Sequence, residues 1–140
     1  AALDSLAAAL LAACGEQLKF MRDPTRGGLA GLVCDLAAAT GLGVEIEEAA
    51  VPILPAALAC AELLGLDPLG IANEGKLVAI VAHEHGDAVL AAMRAHPLGA
   101  LAARIGTVAE DPHRFVQMAT RFGGRRVVDW LSGEPLPRIC

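Results

Sequence analysis

The stretch RDPTRGGLAG, residues 22–31, sets the order of structural elements at the start of the chain. The apolar run Leu18 to Met21 before it has the length of a strand, and paired glycines then permit a sharp turn. A helical stripe follows and stops at Gly41; its members are Leu29, Leu32, Val33 and Leu36. The stretch therefore predicts a strand, a glycine-rich loop and a helix, in that order.

Upstream and downstream segments continue this alternation. Apolar residues at helical spacing predict a first helix that starts near Asp4 or Ser5 and stops at Gly15. Val44 and Ile46 alternate with glutamates, which predicts a half-exposed strand. A third helix should begin near Pro52, a residue favoured in the first turn, and bury four side chains, those of Leu54, Leu58, Ala61 and Leu64.

The second half of the chain adds one buried strand, one helix and two or three short strands. Leu77 to Ala82 is a continuous apolar run, which favours a central strand covered on both faces. A helix over 84–96 should end before Pro97, and two or three strands are predicted after it, at 104–108, 115–119 and 125–128. The fold class expected is α/β: a mixed sheet of about four to six strands packed with helices over residues 1–130, and an extended, mobile tail over 131–140.

Composition excludes several classes of protein. The chain has 140 residues, 55% of them hydrophobic, which is enough for one packed domain and excludes intrinsic disorder. A net charge of −5 with only 11 Lys and Arg argues against nucleic acid as a partner. The longest apolar run, 6–14, is too short for a membrane span, so no membrane partner is expected. Four cysteines without CxxC spacing favour free thiols in a reducing compartment, the cytoplasm.

The loop from Asp23 to Gly28 is the first candidate site. Glycines that expose backbone N–H groups at a helix N-terminus form a site suited to phosphate, and Thr25 and Arg26 add a hydroxyl and a positive charge. The alternative is structural: Asp23 or Thr25 caps the helix, while Gly27 and Gly28 let it pack closely.

Asn73-Glu74-Gly75-Lys76 precedes the apolar run at 77–82 and is the second candidate. It puts an amide, an acid and an amine at the end of a sheet, where ligands often bind in α/β proteins. A simple turn followed by a solvated lysine explains the same residues. His83-Glu84-His85 offers two histidines without a third ligand nearby and is interpreted as a polar helix start, so no metal site is predicted.

Cys140, the last residue, is the third candidate. It follows two prolines and stands close to Arg138, a cation that favours the thiolate. An exposed thiol on a mobile segment suits a tethered nucleophile or a carrier. An incidental terminal cysteine is the alternative. Cys14, Cys34 and Cys60 fall in apolar helical segments and are expected to be buried and slow to react.

These features occur in one order in a known family. The chain resembles the C-terminal domain of HypE-like hydrogenase maturation proteins, carbamoyl dehydratases of the PurM-like, AIR synthetase-related superfamily. The residues that carry the resemblance are RDPTRGGLAG at 22–31, GLDPLGIANEGKLVAIV at 65–81, Gly123-Gly124 and the terminal PRIC at 137–140. The first two segments are shared across the superfamily, whereas the PRIC terminus is typical of the HypE-like branch.

The resemblance implies a mechanism. Cys140 receives a carbamoyl group from a HypF-like carbamoyltransferase, ATP phosphorylates the carboxamide oxygen, and loss of phosphate leaves a thiocyanate. The cyano group then passes to the iron of a [NiFe]-hydrogenase precursor held by a HypC–HypD complex. By the same resemblance, the nucleotide phosphates or the tail would lie near Asp23, Thr25, Arg26, Gly27 and Gly28, the thiocarboxamide would lie near Asn73 and Glu74, and Glu74 is a candidate proton acceptor.

HypE-like proteins also have an N-terminal, ATP-binding half with Asp-rich loops for Mg²⁺-ATP and much of a homodimer interface. Nothing here corresponds to that half, and because the chain does not begin with Met, we expect a segment upstream of Ala1. We therefore expect ATP and Mg²⁺ to act in the full-length protein and expect this chain alone to bind neither tightly and to be inactive. Two alternatives remain open: a non-catalytic module that docks maturation partners through an apolar surface, or the C-terminal domain of another PurM-like, ATP-dependent enzyme.

Overall fold

The computed structural model describes residues 2–129 of the chain, and the predicted tail at 131–140, with Cys140, lies outside the described residues. Four α-helices and six strands alternate along it. The helices are α1 (Asp4–Cys14), α2 (Gly28–Thr40), α3 (Pro55–Leu64) and α4 (Gly86–Ala95). The strands are β1 (Leu18–Arg22), β2 (Leu42–Glu47), β3 (Val78–Val81), β4 (Gly106–Glu110), β5 (Val116–Ala119) and β6 (Arg125–Val127). The α/β prediction is confirmed.

The chain divides into two compact units, the first formed by residues 2–23 and 75–104. Its core is a cluster of Leu10 and Cys14 from α1 with Val89 from α4. β1 and β3 pair as an antiparallel two-stranded sheet, and Ala79 and Val81 pack against the cluster. A bulge in β1 lets Leu18 and Met21 both contact it, although residues three apart in a regular strand face opposite sides.

One strand prediction is wrong in this unit. The run 77–82 does form β3, but every residue of β3 is half-buried, and among the described residues β3 pairs with β1 alone. It is therefore not the central strand of a large sheet. An apolar run predicts a strand without predicting how many neighbours it has.

The second unit, residues 24–74 and 105–129, holds the mixed four-stranded sheet in the order β4-β2-β5-β6. β2 runs parallel to β5 and antiparallel to β4, and β6 closes the sheet antiparallel to β5. α2 packs against β2 and β5. The buried side chains of this unit include Leu32, Val33 and Leu36 of α2, Val44 and Ile46 of β2, and Val116 and Met118 of β5.

α3 differs from the sequence prediction in both start and burial. It begins at Pro55, after Leu54 in extended backbone, rather than near Pro52. Ala61 is its only buried residue, whereas Leu54 and Leu64 are 64% and 67% exposed. The predicted burial of Leu54 and Leu64 is wrong, because a helix with apolar residues on every side gives no sequence signal for the face that packs.

Candidate functional site

The glycine-rich loop leads directly into α2. Gly27 is the residue before the helix, and Gly27 and Gly28 both have left-handed backbone, with φ of 69° and 61°. No side chain caps the first turn, so the interpretation of Asp23 or Thr25 as a helix cap is wrong. Glycine is required here by the backbone conformation.

Gly28 is also required by close packing. A Cβ atom at this position would overlap the carbonyl oxygens of Leu69 and Ile71. These carbonyls belong to a turn, Pro68–Gly70, and to the residue that follows it. The close-packing role of the glycines is therefore confirmed for Gly28, and residues 69–71 lie directly against the start of α2.

The two candidate loops of the second unit meet through their backbones. The N–H of Asn73 donates a hydrogen bond to the carbonyl oxygen of Pro24 over 3.1 Å. Pro24 is buried and Asn73 is half-buried, whereas Arg26 and Glu74 are exposed and Thr25 is half-buried. The structure thus brings Thr25, Arg26, Gly27 and Gly28 into one region with Asn73 and Glu74. Asp23 is exposed and belongs to the first unit, whose first segment ends at this residue.

Sequence reasoning did not single out Asp67 as a functional residue. Its Oδ1 accepts a hydrogen bond from the N–H of Leu69 at 2.9 Å, and its Oδ2 lies 2.6 Å from Nη2 of Arg126. The dipeptide Asp67-Pro68 is a recognisable signal for the start of a helical turn. The pairing with Arg126 has no signal in one sequence, since 59 positions separate the two residues.

The described cysteines differ in their surroundings. Cys14 is buried, and this burial raises the pKa of its thiol. Partial burial, and then the charges of Asp129 and Asp35, raise the pKa of Cys34, whose Sγ donates to the carbonyl oxygen of Val128 at 3.5 Å. Cys60 is exposed on α3, so the prediction that all three are buried is confirmed for Cys14, holds only in part for Cys34 and is wrong for Cys60.

Residues 2–129 include no group of three or more His, Cys, Asp or Glu side chains placed to hold a metal ion. The Nδ1 atom of His83 lies 3.3 Å from Nη2 of Arg104. Over the same residues, no helix is long and apolar enough to cross a membrane.

Comparison with known families assigns the chain to one class of protein. Residues 3–119 match the family described as AIR synthase related protein, C-terminal domain. The chain belongs to that family.

Within this class, the chain is similar to proteins named carbamoyl dehydratase HypE. It is 60% identical over 140 residues to the HypE of Bradyrhizobium diazoefficiens and 59% identical over 140 residues to that of Cupriavidus necator. It spans about 40% of the length of these relatives. The resemblance inferred from the sequence motifs is confirmed.

Solved structures agree. The chain matches the crystal structure of Escherichia coli HypE with a TM-score of 0.90 and 46% identity, covering 100% of this chain and 42% of that one. A HypE in a crystallised HypE–HypF complex matches with a TM-score of 0.88 and 34% identity, covering 94% and 42%. A HypE crystallised with ATP matches with a TM-score of 0.81 and 40% identity, covering 89% and 38%.

Proposed function

We propose that this chain is the thiol-bearing part of a HypE-like, ATP-dependent carbamoyl dehydratase that acts in the maturation of [NiFe]-hydrogenases. One observation carries the proposal: the similarity to proteins of that name extends over all 140 residues, so it includes the positions of both candidate loops and of the terminal segment. A similar protein has been crystallised in complex with ATP, which supports ATP as the co-substrate.

The reaction would convert a thiol-bound carboxamide into a thiocyanate. The sulfur of Cys140 takes a carbamoyl group from the donor on the carbamoyltransferase, with release of the thiol proton and of the donor's leaving group. ATP then phosphorylates the carboxamide oxygen, giving ADP, and the nitrogen loses one of its two protons. A base takes the second proton from the nitrogen as phosphate leaves, so the C–O bond breaks and a C≡N bond forms. Phosphorylation is needed because the amide oxygen is a poor leaving group and phosphate is a good one.

The two loops that meet at the Asn73–Pro24 hydrogen bond supply candidate groups for this step. Thr25, Arg26 and the backbone of Gly27 and Gly28 at the start of α2 would bind phosphate oxygens, with Asp23 at the entry of the loop. Glu74 is exposed and free to approach the substrate nitrogen as the proton acceptor, with Asn73 beside it. Mg²⁺, which phosphoryl transfer from ATP ordinarily requires, is not assigned to residues 2–129, because they offer no matching group of acidic ligands.

The proposed partners are those that the resemblance to HypE-like proteins implies. A HypF-like carbamoyltransferase would supply the carbamoyl group. The crystal structure of a HypE–HypF complex that contains a similar protein supports this partner. A HypC–HypD complex would accept the cyano group on iron. Action as a homodimer in the cytoplasm, and inactivity of this chain without the rest of the protein, complete the proposal.

Mass spectrometry of the full-length protein tests the function. After incubation with the carbamoyltransferase, a carbamoyl donor and ATP, the C-terminal peptide should carry first a carboxamide and then a cyano group on Cys140. Cys140→Ala should remove both adducts. Cys60→Ala is the matched control, since it removes an exposed thiol and should leave both adducts in place.

Adducts on Cys34 or Cys60, or hydrogenase maturation supported by Cys140→Ala, would overturn the proposal. Glu74→Gln separates the two steps. It should leave carbamoylation unchanged and slow dehydration by about 10² to 10⁴, the usual contribution of a general base, so that the carboxamide accumulates.

Exposed apolar side chains on and beside α3 favour a second candidate function, a module that docks a maturation partner. Leu54, Leu63 and Leu64 are 64%, 87% and 67% exposed. Leu63→Glu should then weaken binding of the HypF-like partner in a pull-down. Leu101→Glu, at a residue 75% exposed in the first unit, is the control that should not.

A further inference from the structure

A single carboxylate, that of Asp67, links two parts of the second unit that are distant in sequence. Oδ1 accepts the N–H of Leu69 at 2.9 Å and so holds the turn Pro68–Gly70. Oδ2 lies 2.6 Å from Nη2 of Arg126 in β6. One carboxylate oxygen of Asp67 therefore binds the turn, and the other binds β6.

On one side, the turn leads to the candidate site within a few residues. Leu69 is 5% exposed, and its carbonyl group lies against Gly28 at the start of α2. Four residues after Leu69, the N–H of Asn73 donates to Pro24. A shift of Asp67 would thus be transmitted through a tightly packed turn to the loop that carries Asn73 and Glu74.

On the other side, β6 leads to the terminal segment. Two residues after Arg126, Val128 is 5% exposed; its N–H donates to Val116 at 2.8 Å and its carbonyl oxygen accepts from Cys34. Residues 130–140 follow directly. Eleven residues lie between Val128 and Cys140, and the twelve Cα–Cα steps span at most roughly 40 Å, so the position of β6 limits the region that the thiol can reach.

The Asp67–Arg126 pair lies at the surface, with the Arg126 and Asp67 side chains 42% and 38% exposed. Exposed ion pairs contribute little to folding stability, so loss of this pair should leave the fold intact. We infer that Asp67 and Arg126 are positioning residues, which fix the base of the thiol-bearing segment against the loop carrying Asn73 and Glu74. The inference rests on the proposed role of Cys140 as the carrier thiol.

Single-turnover dehydration in the full-length protein tests the pair. Cys140 is first carbamoylated, ATP is then added at several concentrations, and conversion of carboxamide to thiocyanate is followed by mass spectrometry. Asp67→Asn keeps an oxygen for the N–H of Leu69 but loses the charge, and Arg126→Gln loses the other partner. Each should lower the maximal rate roughly tenfold or more, as misplacement of a reacting group does, with an unchanged half-saturating ATP concentration and an unchanged unfolding midpoint.

Arg125→Gln is the matched control, because it removes the neighbouring surface pair, Arg125–Glu45 at 3.4 Å, and should keep the wild-type rate. The double variant Asp67→Asn/Arg126→Gln should be no slower than either single variant, since both remove one interaction. Wild-type rates in the two single variants, or an equal loss in Arg125→Gln, would overturn the inference while leaving the proposed function intact. A wild-type protein that forms no thiocyanate would instead overturn the proposed function itself.

Discussion

The backbone N–H of Asn73 and the carbonyl oxygen of Pro24 are joined by a 3.1 Å hydrogen bond. This bond connects two segments that are separate in the sequence, the glycine-rich loop before α2 and the loop before β3. Both atoms of this hydrogen bond belong to the backbone, so a substitution of the Asn73 side chain does not remove it. What fixes the loops further is the contact of Gly28 with Leu69 and Ile71.

Gly28→Ala should therefore disturb the candidate site and the fold together. The added methyl group would overlap two backbone carbonyl oxygens, and the left-handed backbone at φ 61° disfavours any side chain. We expect a loss of about 2–4 kcal/mol in the free energy of unfolding, the sum of overpacking and backbone strain. Urea denaturation monitored by circular dichroism measures it.

Gly65→Ala is the control for backbone strain alone. Gly65 follows α3 with φ 67°, but no atom lies within 4 Å of the position its Cβ would take. It should lose only about 1 kcal/mol. Equal losses in the two variants would show that the close contact of Gly28 with residues 69–71 does not contribute to the free energy of unfolding.

The core of the first unit depends on Leu10. This side chain is 1% exposed and packs with Cys14 and Val89. Leu10→Ala should cost about 3 kcal/mol, through lost burial and the cavity left behind. Leu11→Ala, at the next position of α1 but 50% exposed, should change the free energy of unfolding by less than about 0.5 kcal/mol. Similar losses in both variants, measured by urea denaturation, would contradict the described burial.

Local patterns in the sequence predicted the elements well. The glycines at 27–28 and Gly41 bound α2 as expected, and the alternation of Val44 and Ile46 marked β2. Each of these signals is short-range, because it depends on backbone conformation or on the period of one element. The prediction of a mixed sheet of about four to six strands followed from these signals, whereas the division of the strands between two sheets did not.

Tertiary relations were not predictable in the same way. The period of the apolar run at 77–82 is the same for a central strand and for β3, which has one described neighbour. α3 has apolar residues all round, so its spacing did not distinguish Ala61, which is buried, from Leu64, which is not. The Asp67–Arg126 pair joins residues whose types alone indicate only solvated charges.

Acid should weaken the turn between β4 and β5 through Asp111. Its carboxylate accepts the N–H groups of His113 and Phe115, each at 3.0 Å, and these hydrogen bonds lower the pKa of Asp111. A carboxyl whose folded-state pKa is lowered stabilises the fold fully above its ordinary value of about 3.9, and this contribution is lost as the pH falls through the folded-state pKa.

Asp111→Ala should thus be less stable than the wild type at pH 7, and the difference should shrink in acid below about pH 4. Denaturation curves at several pH values measure it. Glu110→Ala, at the exposed neighbouring position, is the control and should show no such convergence. A difference between wild type and Asp111→Ala that is constant with pH would mean that the turn does not depend on the charged carboxylate.

Thiol alkylation should distinguish the three described cysteines under native conditions. Cys60 is exposed and should react fastest, Cys34 is partly buried and should react slowly, and Cys14 is buried and should react last. Peptide mass spectrometry after timed treatment with iodoacetamide gives the order. Because burial raises the pKa of Cys14 and of Cys34, their thiolate fraction at neutral pH is lowered further.

The same shifts predict a loss of stability in alkali. A thiol whose pKa is raised by folding stabilises the native state fully below its unfolded pKa of about 8.5, and the contribution is lost as the pH rises through the folded-state pKa. Cys34→Ser removes this titration while keeping a donor for the carbonyl oxygen of Val128, so its free energy of unfolding should fall less steeply than that of the wild type above about pH 8.5. Parallel curves for the two proteins, or labelling of Cys14 as fast as that of Cys60, would contradict the environments described for these thiols.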